Sequence, residues 1–284
     1  VRVIVGLSGG KASAWCAGWA LRNFPKEGVV FYFNDTKWEH RDLYRFIDDL
    51  SRYFDHPITV DSDGRSPEDL FREYRVLASS RMPFCTRILK AQRLQVFYED
   101  GDVLVFGIDS REPERAKNLE RIYSMVAIKT GKKCQLRFPL IEERVTRDQV
   151  DEFIKSTGIL EPQMYRLGFL HNNCSGGCVR AGKRQWKMLY EKLPEVYAER
   201  ERVERELGEL LGKKVSFLRG ETLEEFRGKI ERKSLSSYYY DDTCSGREYW
   251  KLVSRYEADK KKKAAPRPTR GKKGFVRRRF GIGK

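Results

Sequence analysis

Nowhere in the 284 residues does an apolar run approach the ~20 residues that a bilayer-spanning helix needs. The longest, such as Val29-Val30-Phe31-Tyr32-Phe33, have the length of strands. A charged-then-apolar leader with a small-residue cleavage site is also missing, so a cytoplasmic protein without a membrane partner is expected. The Gly-x4-Gly-Lys-Ser/Thr spacing of a Walker loop does not occur, and there are no internal repeats. Acidic residues are lacking at one end: residues 260–284 hold twelve Lys or Arg and no Asp or Glu. Of the net charge of +16, only +4 is left for residues 1–259. The body is nearly balanced, and the excess belongs to a tail.

What remains is the texture of a folded protein, 40% hydrophobic and 12% aromatic, long enough for one α/β domain and an appendage. Val1 to Leu7 alternates and reads as a strand, Ser8-Gly9-Gly10 breaks it, and Lys11 to Phe24 reads as a helix. A buried strand is expected at Val29–Phe33, a helix at Arg41–Tyr53, and a short strand at Val103–Phe106 ending on Gly107. Ser66-Pro67-Glu68-Asp69 and Thr146 with Gln149 carry helix-start signals, the second a capping box. Strands alternating with helices imply an α/β fold: an open parallel sheet with helices on both faces. Beyond about residue 160 the pattern turns helical, with one long charged helix expected over 184–211 and another starting after Thr222. The division is therefore an α/β domain over 1–160, a mainly helical cysteine-containing region over 161–256, and a basic, disordered tail over 257–284.

Ser8-Gly9-Gly10-Lys11-Ala12-Ser13, between a strand and a helix, is a mechanically sensible anion site. The glycines let backbone N–H groups approach a phosphate, and the helix N-terminus adds its positive dipole end. Ser8 and Ser13 can donate hydroxyl hydrogens, and Lys11 supplies charge. Taken alone, Gly-Gly is also an ordinary strand-to-helix turn.

Ser-Gly-Gly-Lys-x-Ser after the first strand resembles the PP-loop of ATP pyrophosphatases and of proteins like phosphoadenylyl-sulfate (PAPS) reductase. Further segments follow in register. Asn34-Asp35-Thr36-Lys37-Trp38-Glu39 is similar to the family's Asp-Thr-Gly-x-Glu, and Gly107 to Arg115 to its Gly-Ile/Tyr-Arg-x-x-Glu-x-x-Arg. Phe138-Pro139-Leu140 and Tyr165-Arg166-Leu167-Gly168-Phe169 match two more elements, and Cys85-Thr86-Arg87-Ile88-Leu89-Lys90 resembles Cys-Thr-x-x-Leu-Lys. Together they cover roughly residues 3–180. The chain departs from the family pattern at Ala12, where the family usually has Asp, and that removes a carboxylate.

The resemblance implies an adenine nucleotide alpha hydrolase-like, Rossmann-like fold that binds ATP or PAPS with Mg2+. Ser8, Gly9, Gly10, Lys11 and Ser13 would then hold phosphates, with Asp35 and Thr36 near the ribose or the magnesium. Gly107 would sit at a strand end, and Arg111 and Arg115 would clamp phosphate or sulfate bidentately. Lys11, Asp35, Cys85 and Cys178 are the residues the resemblance puts closest to the chemistry.

Cysteines stand at 16, 85, 134, 174, 178 and 244. Cys16 and Cys134 read as ordinary helix and strand-edge residues. Cys174 and Cys178 form a close pair of the kind that points to metal or redox chemistry rather than a structural disulfide. With Cys85, and Cys244 as a fourth ligand or a mobile nucleophile, they are soft donors suited to a 4Fe-4S cluster or to Zn2+. His171 reads equally as a loop hydrogen-bonder or a ligand. In the tail, Lys272, Lys273, Arg277, Arg278 and Arg279 would neutralise phosphates of RNA or DNA, and Phe275 and Phe280 would stack on bases. A merely solubilising end is the plainer alternative.

Three functions compete. The first is an enzyme that adenylates a nucleic-acid acceptor so that a sulfur donor can displace AMP. The second is a sulfonucleotide reductase, although the Glu-Cys-Gly-Ile/Leu-His motif of true reductases is absent. The third is a non-catalytic nucleotide- and nucleic-acid-binding protein, which Ala12 favours.

Overall fold

The structure is a computed structural model and describes residues 1–232. Its frame is a five-stranded sheet of β1 (Val3–Leu7), β2 (Val29–Asn34), β3 (Ile58–Asp61), β4 (Val103–Phe106) and β5 (Gln135–Arg137). The order is β3-β2-β1-β4-β5 and every pairing is parallel. Val5 lies opposite Phe31 on one side and Val105 on the other.

Alternation along the central strands sends side chains to two faces. Val3, Val5, Leu7, Phe31, Phe33 and Val105 pack with Trp15, Ala17 and Trp19 of α1 (Lys11–Asn23), Leu43 and Ile47 of α2 (Arg41–Phe54), and Val150 of α8 (Arg147–Ser156). Ile4, Tyr32 and Leu104 point the other way, onto Leu94 of α5 (Arg93–Phe97), Tyr98, and Tyr123 of α6 (Pro113–Thr130). Because both faces are covered, these strands read as nearly unbroken apolar runs. Each fully buried aliphatic or aromatic side chain contributes about 1.5–3 kcal/mol.

From β1 the chain works outward to β3, then crosses back to β4 on the other side of β1. The strand order therefore reverses beside β1, where open α/β sheets hold ligands outside the carboxyl ends of their strands. The turns after β1 and β4 meet there. A Cβ on Gly107 would lie 2.8 Å from the Ala12 carbonyl carbon and the Ser13 nitrogen, so only glycine lets β4 end against the start of α1.

A third core joins Trp38, Phe71 of α3 (Pro67–Glu73), Phe84 and Leu89 to Trp186, Tyr197, Phe217 and Phe226. The last four come from the helical region, from α10 (Lys183–Lys192), α11 (Pro194–Leu211), the loop after it, and α12 (Leu223–Glu231). The single helix expected over 184–211 is two helices. Pro194 lacks an N–H and cannot continue the preceding turn, so it opens α11 instead. The capping boxes at Ser66, Thr146 and Thr222 form with both reciprocal hydrogen bonds. Among the described residues, no helix is long and apolar enough to cross a membrane.

Candidate functional site

Gly9 has φ +71°, and a Cβ there would meet Leu43 Cγ at 2.5 Å, so the turn after β1 depends on glycine. Ser13 braces it from the first turn of α1. Its hydroxyl accepts from the Ser8 backbone N–H at 3.1 Å and donates to the Gly10 carbonyl at 2.8 Å, with Ser8 Oγ 3.3 Å away. Gly10 caps α1 without a side chain, and no acidic residue stands in the first turn. The dipole end of a 13-residue helix thus faces the loop without a carboxylate against it. Lys11 turns its ammonium to Asp151 (2.5 Å) and Glu161 (3.0 Å), over the ring of Tyr165. A phosphate would have to compete with those two acids for its charge.

At the end of β2, Asp35 Oδ1 accepts from the Lys37 backbone N–H and from the Tyr44 hydroxyl, both at 2.8 Å, and Oδ2 pairs with Lys37 Nζ at 3.0 Å. Burial opposes its ionisation, but these bonds more than offset that and hold the carboxyl below the ordinary aspartate range. Thr36 donates to the buried carboxylate of Glu39 at 3.0 Å. Glu39 also receives Lys90 Nζ at 3.0 Å and the backbone N–H of Cys174 at 3.1 Å. Glu39 and Lys90 both lie inside segments that carry the resemblance, but sequence reasoning gave them no role. Their pairing spans 51 residues and leaves no local pattern. Lys90 sits on a π-helical stretch, Arg87–Gln92, between α4 (Phe84–Thr86) and α5, a distortion common at functional sites.

Beyond Gly107, Arg111 is not free: its Nε and Nη2 grip Asp109 at 2.9 and 2.8 Å, and Arg147 Nε holds the same carboxylate at 2.7 Å. Burial raises the Asp109 carboxyl, but the two guanidiniums overwhelm it and keep it far below the carboxylate range. Arg115 is largely exposed and pairs with Glu112 at 3.2 Å. His171 feels the positive charge of Arg115, Arg147 and Arg180. Burial first, then those three cations against the pull of Asp109, push its imidazole down to about 4, so it is neutral near pH 7.

The next residue, Asn172, is buried and donates from Nδ2 to the Gly9 carbonyl at 2.9 Å. Its Oδ1 is buried without a donor, an orphaned acceptor beside the phosphate loop.

The trio Cys85, Cys174 and Cys178 does come together. Cys174 and Cys178 share a thiol hydrogen bond, and Cys85 feels Cys174 electrostatically. The Cys178 hydrogen bond, then burial, raises Cys174 well above the thiol range; burial, then Cys174, pushes Cys85 up to about 11. Lys90 faces both Cys174 and Cys178. Burial works against its charge, but Glu39 and the two sulfurs hold it above the ordinary lysine range. Between the paired thiols the backbone runs left-handed through Cys174 (φ +50°), Ser175 (φ +52°) and Gly176 (φ +84°). The Ser175 hydroxyl fastens this turn to the Trp38 carbonyl at 3.1 Å.

Among the described residues, no group of three or more His, Cys, Asp or Glu is arranged to hold a metal ion. Cys85 and Cys174 hold their protons more tightly than free thiols, whereas a soft metal needs thiolates, so the described residues do not fit zinc or a cluster. Cys16 is buried inside α1 and Cys134 lies half-buried beside β5. Cys244, Lys272, Lys273, Arg277, Arg278 and Arg279 lie outside the described residues.

No curated protein matches the chain. The family model of the phosphoadenosine phosphosulfate reductase domain matches residues 2–181, which takes in the phosphate loop, the Asp35 and Gly107 segments, and all three thiols. The chain belongs to the phosphoadenosine phosphosulfate reductase domain family.

Proposed function

We propose that this protein is an adenine-nucleotide-dependent enzyme of sulfur chemistry, which uses ATP to adenylate an oxygen of a nucleic-acid acceptor and then lets sulfur displace AMP. One observation carries this reading. The thiol turn is hydrogen-bonded directly to both nucleotide motifs, through Asn172 to Gly9 and through the Cys174 N–H and Thr36 to the shared carboxylate of Glu39. A nucleotide in the loop and the sulfur of Cys174 therefore belong to one site.

In that site the N–H groups of the Ser8–Ser13 loop and the N-terminus of α1 bind the phosphates. The orphaned Asn172 Oδ1 accepts a hydroxyl or amino hydrogen of the nucleoside. Magnesium suits phosphates plus one carboxylate, and Asp35 is the carboxylate at hand once Lys37 yields it. The Arg115, Arg147 and Arg180 group favours the departing pyrophosphate over neutral products. The acceptor oxygen attacks the α-phosphorus, pyrophosphate leaves, and a sulfur nucleophile then expels AMP from the activated carbon or phosphorus. The basic segment over 257–284 is the proposed contact for RNA or DNA, and a separate sulfur donor is required.

The family match supports a second reading, reduction of PAPS by a thiol pair. One thiolate takes the sulfuryl group and releases adenosine 3′,5′-bisphosphate; the second thiol then forms a disulfide with the first and releases sulfite. Pyrophosphate release from ATP in the presence of RNA or DNA tests the first reading. Sulfite formed from PAPS without pyrophosphate replaces it with the second.

A further inference from the structure

Arg200 is one of the largest fully buried side chains, with only 2% of its surface exposed. Charged residues are almost never buried to this degree unless they are paired. Its guanidinium carbon lies 3.6 Å from the centre of the Trp38 ring, and this stacking fixes its plane. Nη1 pairs with Glu199 Oε1 at 2.8 Å, while the buried Nε has no hydrogen-bond acceptor. An orphaned charged donor in a protein interior costs more than a neutral one, so its retention calls for an anion.

Its neighbours locate that anion. A Cβ on Gly177 would be 3.0 Å from Arg200 Cγ and Nε, so the Arg200 side chain runs against the turn that separates the two paired thiols. The Gly177 N–H bonds back to the Cys174 carbonyl at 2.9 Å, which closes the turn over Arg200. Cys174 and Arg200 interact electrostatically. Lys90 faces the same sulfurs, but its charge is matched by Glu39. Arg200 is answered by Glu199, whose side chain is about half exposed, and electrostatically by Glu68.

We propose that Arg200 is the positioning residue of a site for anionic sulfur, held at Cys174 as a persulfide or beside it as hydrosulfide. The inference rests on the sulfur-chemistry reading above and deepens it by naming the form in which sulfur waits. Loading is balanced without an added oxidant: a low-molecular-weight persulfide, R–S–SH, gives its outer sulfur to Cys174–SH, and the products are Cys174–S–SH and R–SH. The Cys174 persulfide then loses its proton and meets the Arg200 guanidinium, whose Nε lacks an acceptor. Attack by the Cys178 thiol on the inner sulfur returns hydrosulfide and leaves a Cys174–Cys178 disulfide. Alternatively the outer sulfur attacks the activated acceptor and expels AMP, and the Cys178 thiol then attacks the inner sulfur, so that the thiolated acceptor leaves and a Cys174–Cys178 disulfide remains.

The test uses the full chain and glutathione persulfide. After loading and desalting, cyanide should release about one thiocyanate per chain, and peptide mass spectrometry should find one added sulfur on the peptide containing Cys174. Arg200→Lys keeps the charge but loses the fork, and is expected to shed the sulfur about tenfold faster or more while its melting temperature and ATP affinity stay close to those of the wild type. Glu199→Gln, at the exposed partner, should retain sulfur at least as well as wild type. Loss of labile sulfur in Cys174→Ser supports the covalent form. Retention of sulfide by Cys174→Ser with loss in Arg200→Lys supports bound hydrosulfide. No labile sulfur in wild type, or equal retention in wild type and a folded Arg200→Lys, overturns the proposal. Nucleotide affinity is measured on the same samples: sulfur held without ATP or PAPS binding would sink the functional reading and leave this one standing.

Discussion

Asn172 donates its side-chain amide to the main-chain carbonyl of Gly9 at 2.9 Å, so the segment leading to Cys174 is anchored on the phosphate loop itself. The bond also settles the orientation of the amide: Nδ2 faces the carbonyl and Oδ1 is left as the orphaned acceptor. In Asn172→Asp both groups are acceptors, and a buried carboxylate would face a carbonyl oxygen. Nucleotide affinity is expected to fall roughly tenfold or more, with the fold retained, as isothermal calorimetry and circular dichroism would show. Unchanged affinity would detach Asn172 from the nucleotide site.

Gly9 sits in the left-handed region with no space for a Cβ beside Leu43. Gly9→Ala is expected to destabilise the protein by about 1–3 kcal/mol and to abolish nucleotide binding. The paired variant Gly9→Ala/Leu43→Ala relieves the clash but not the strain, so a thermal melt should recover only part of the loss.

Glu204 supplies a pH dependence remote from the site. It accepts the backbone N–H groups of Phe217 and Leu223 at 2.7 and 2.6 Å, pinning the loop between α11 and α12. Burial, only partly countered by those bonds, pushes its carboxyl up to about 7. A folded value above the unfolded one means that the proton is held more tightly in the native state. The contribution is therefore complete below about pH 4.5 and is lost as the pH rises through 7. It is on the order of 3 kcal/mol. Urea titrations between pH 5 and 8 should show stability falling in wild type and a flatter profile in Glu204→Gln; parallel profiles would contradict the assignment.

Thiol chemistry should be separable from nucleotide binding. Cys174→Ser and Cys178→Ser are expected to bind ATP or PAPS within about twofold of wild type, because only the backbone of Cys174 touches Glu39. Both should abolish turnover. Metal analysis of anaerobically purified protein should find neither stoichiometric iron with sulfide nor zinc on the described thiols. Stoichiometric metal lost on Cys85→Ser would reverse that expectation.

Much of the frame is readable from local pattern. β1, β2 and β4 are apolar and β-branched, and the Ser66, Thr146 and Thr222 caps announce their helices. The edge strands escape because their pattern is weak: Val60 is well exposed, and β5 is three residues of mixed polarity. Pro194 is visible in the sequence, but a continuous charged pattern runs across it. In the site, the glycines and serines of the loop declare themselves, because their chemistry lies in one short segment. Arg200 does not. In a helix crowded with Glu and Arg it looks solvated, and its burial is decided by Trp38, from the far end of another motif. Lys11, Arg111 and Arg115 show the opposite limit: sequence supplies their charge but not the acids that already hold it.

The central claim is that the turn after β1 embraces the phosphates of an adenine nucleotide, and calorimetric titration of the full chain with ATP and with PAPS, each with magnesium, tests it most directly. The expected result is saturable binding of one nucleotide per chain, lost in Gly10→Val, whose added carbons would collide with Tyr165 Oη, 3.0 Å from a Cβ at that position. Absence of heat with both nucleotides, or equal binding by a folded Gly10→Val, would contradict it.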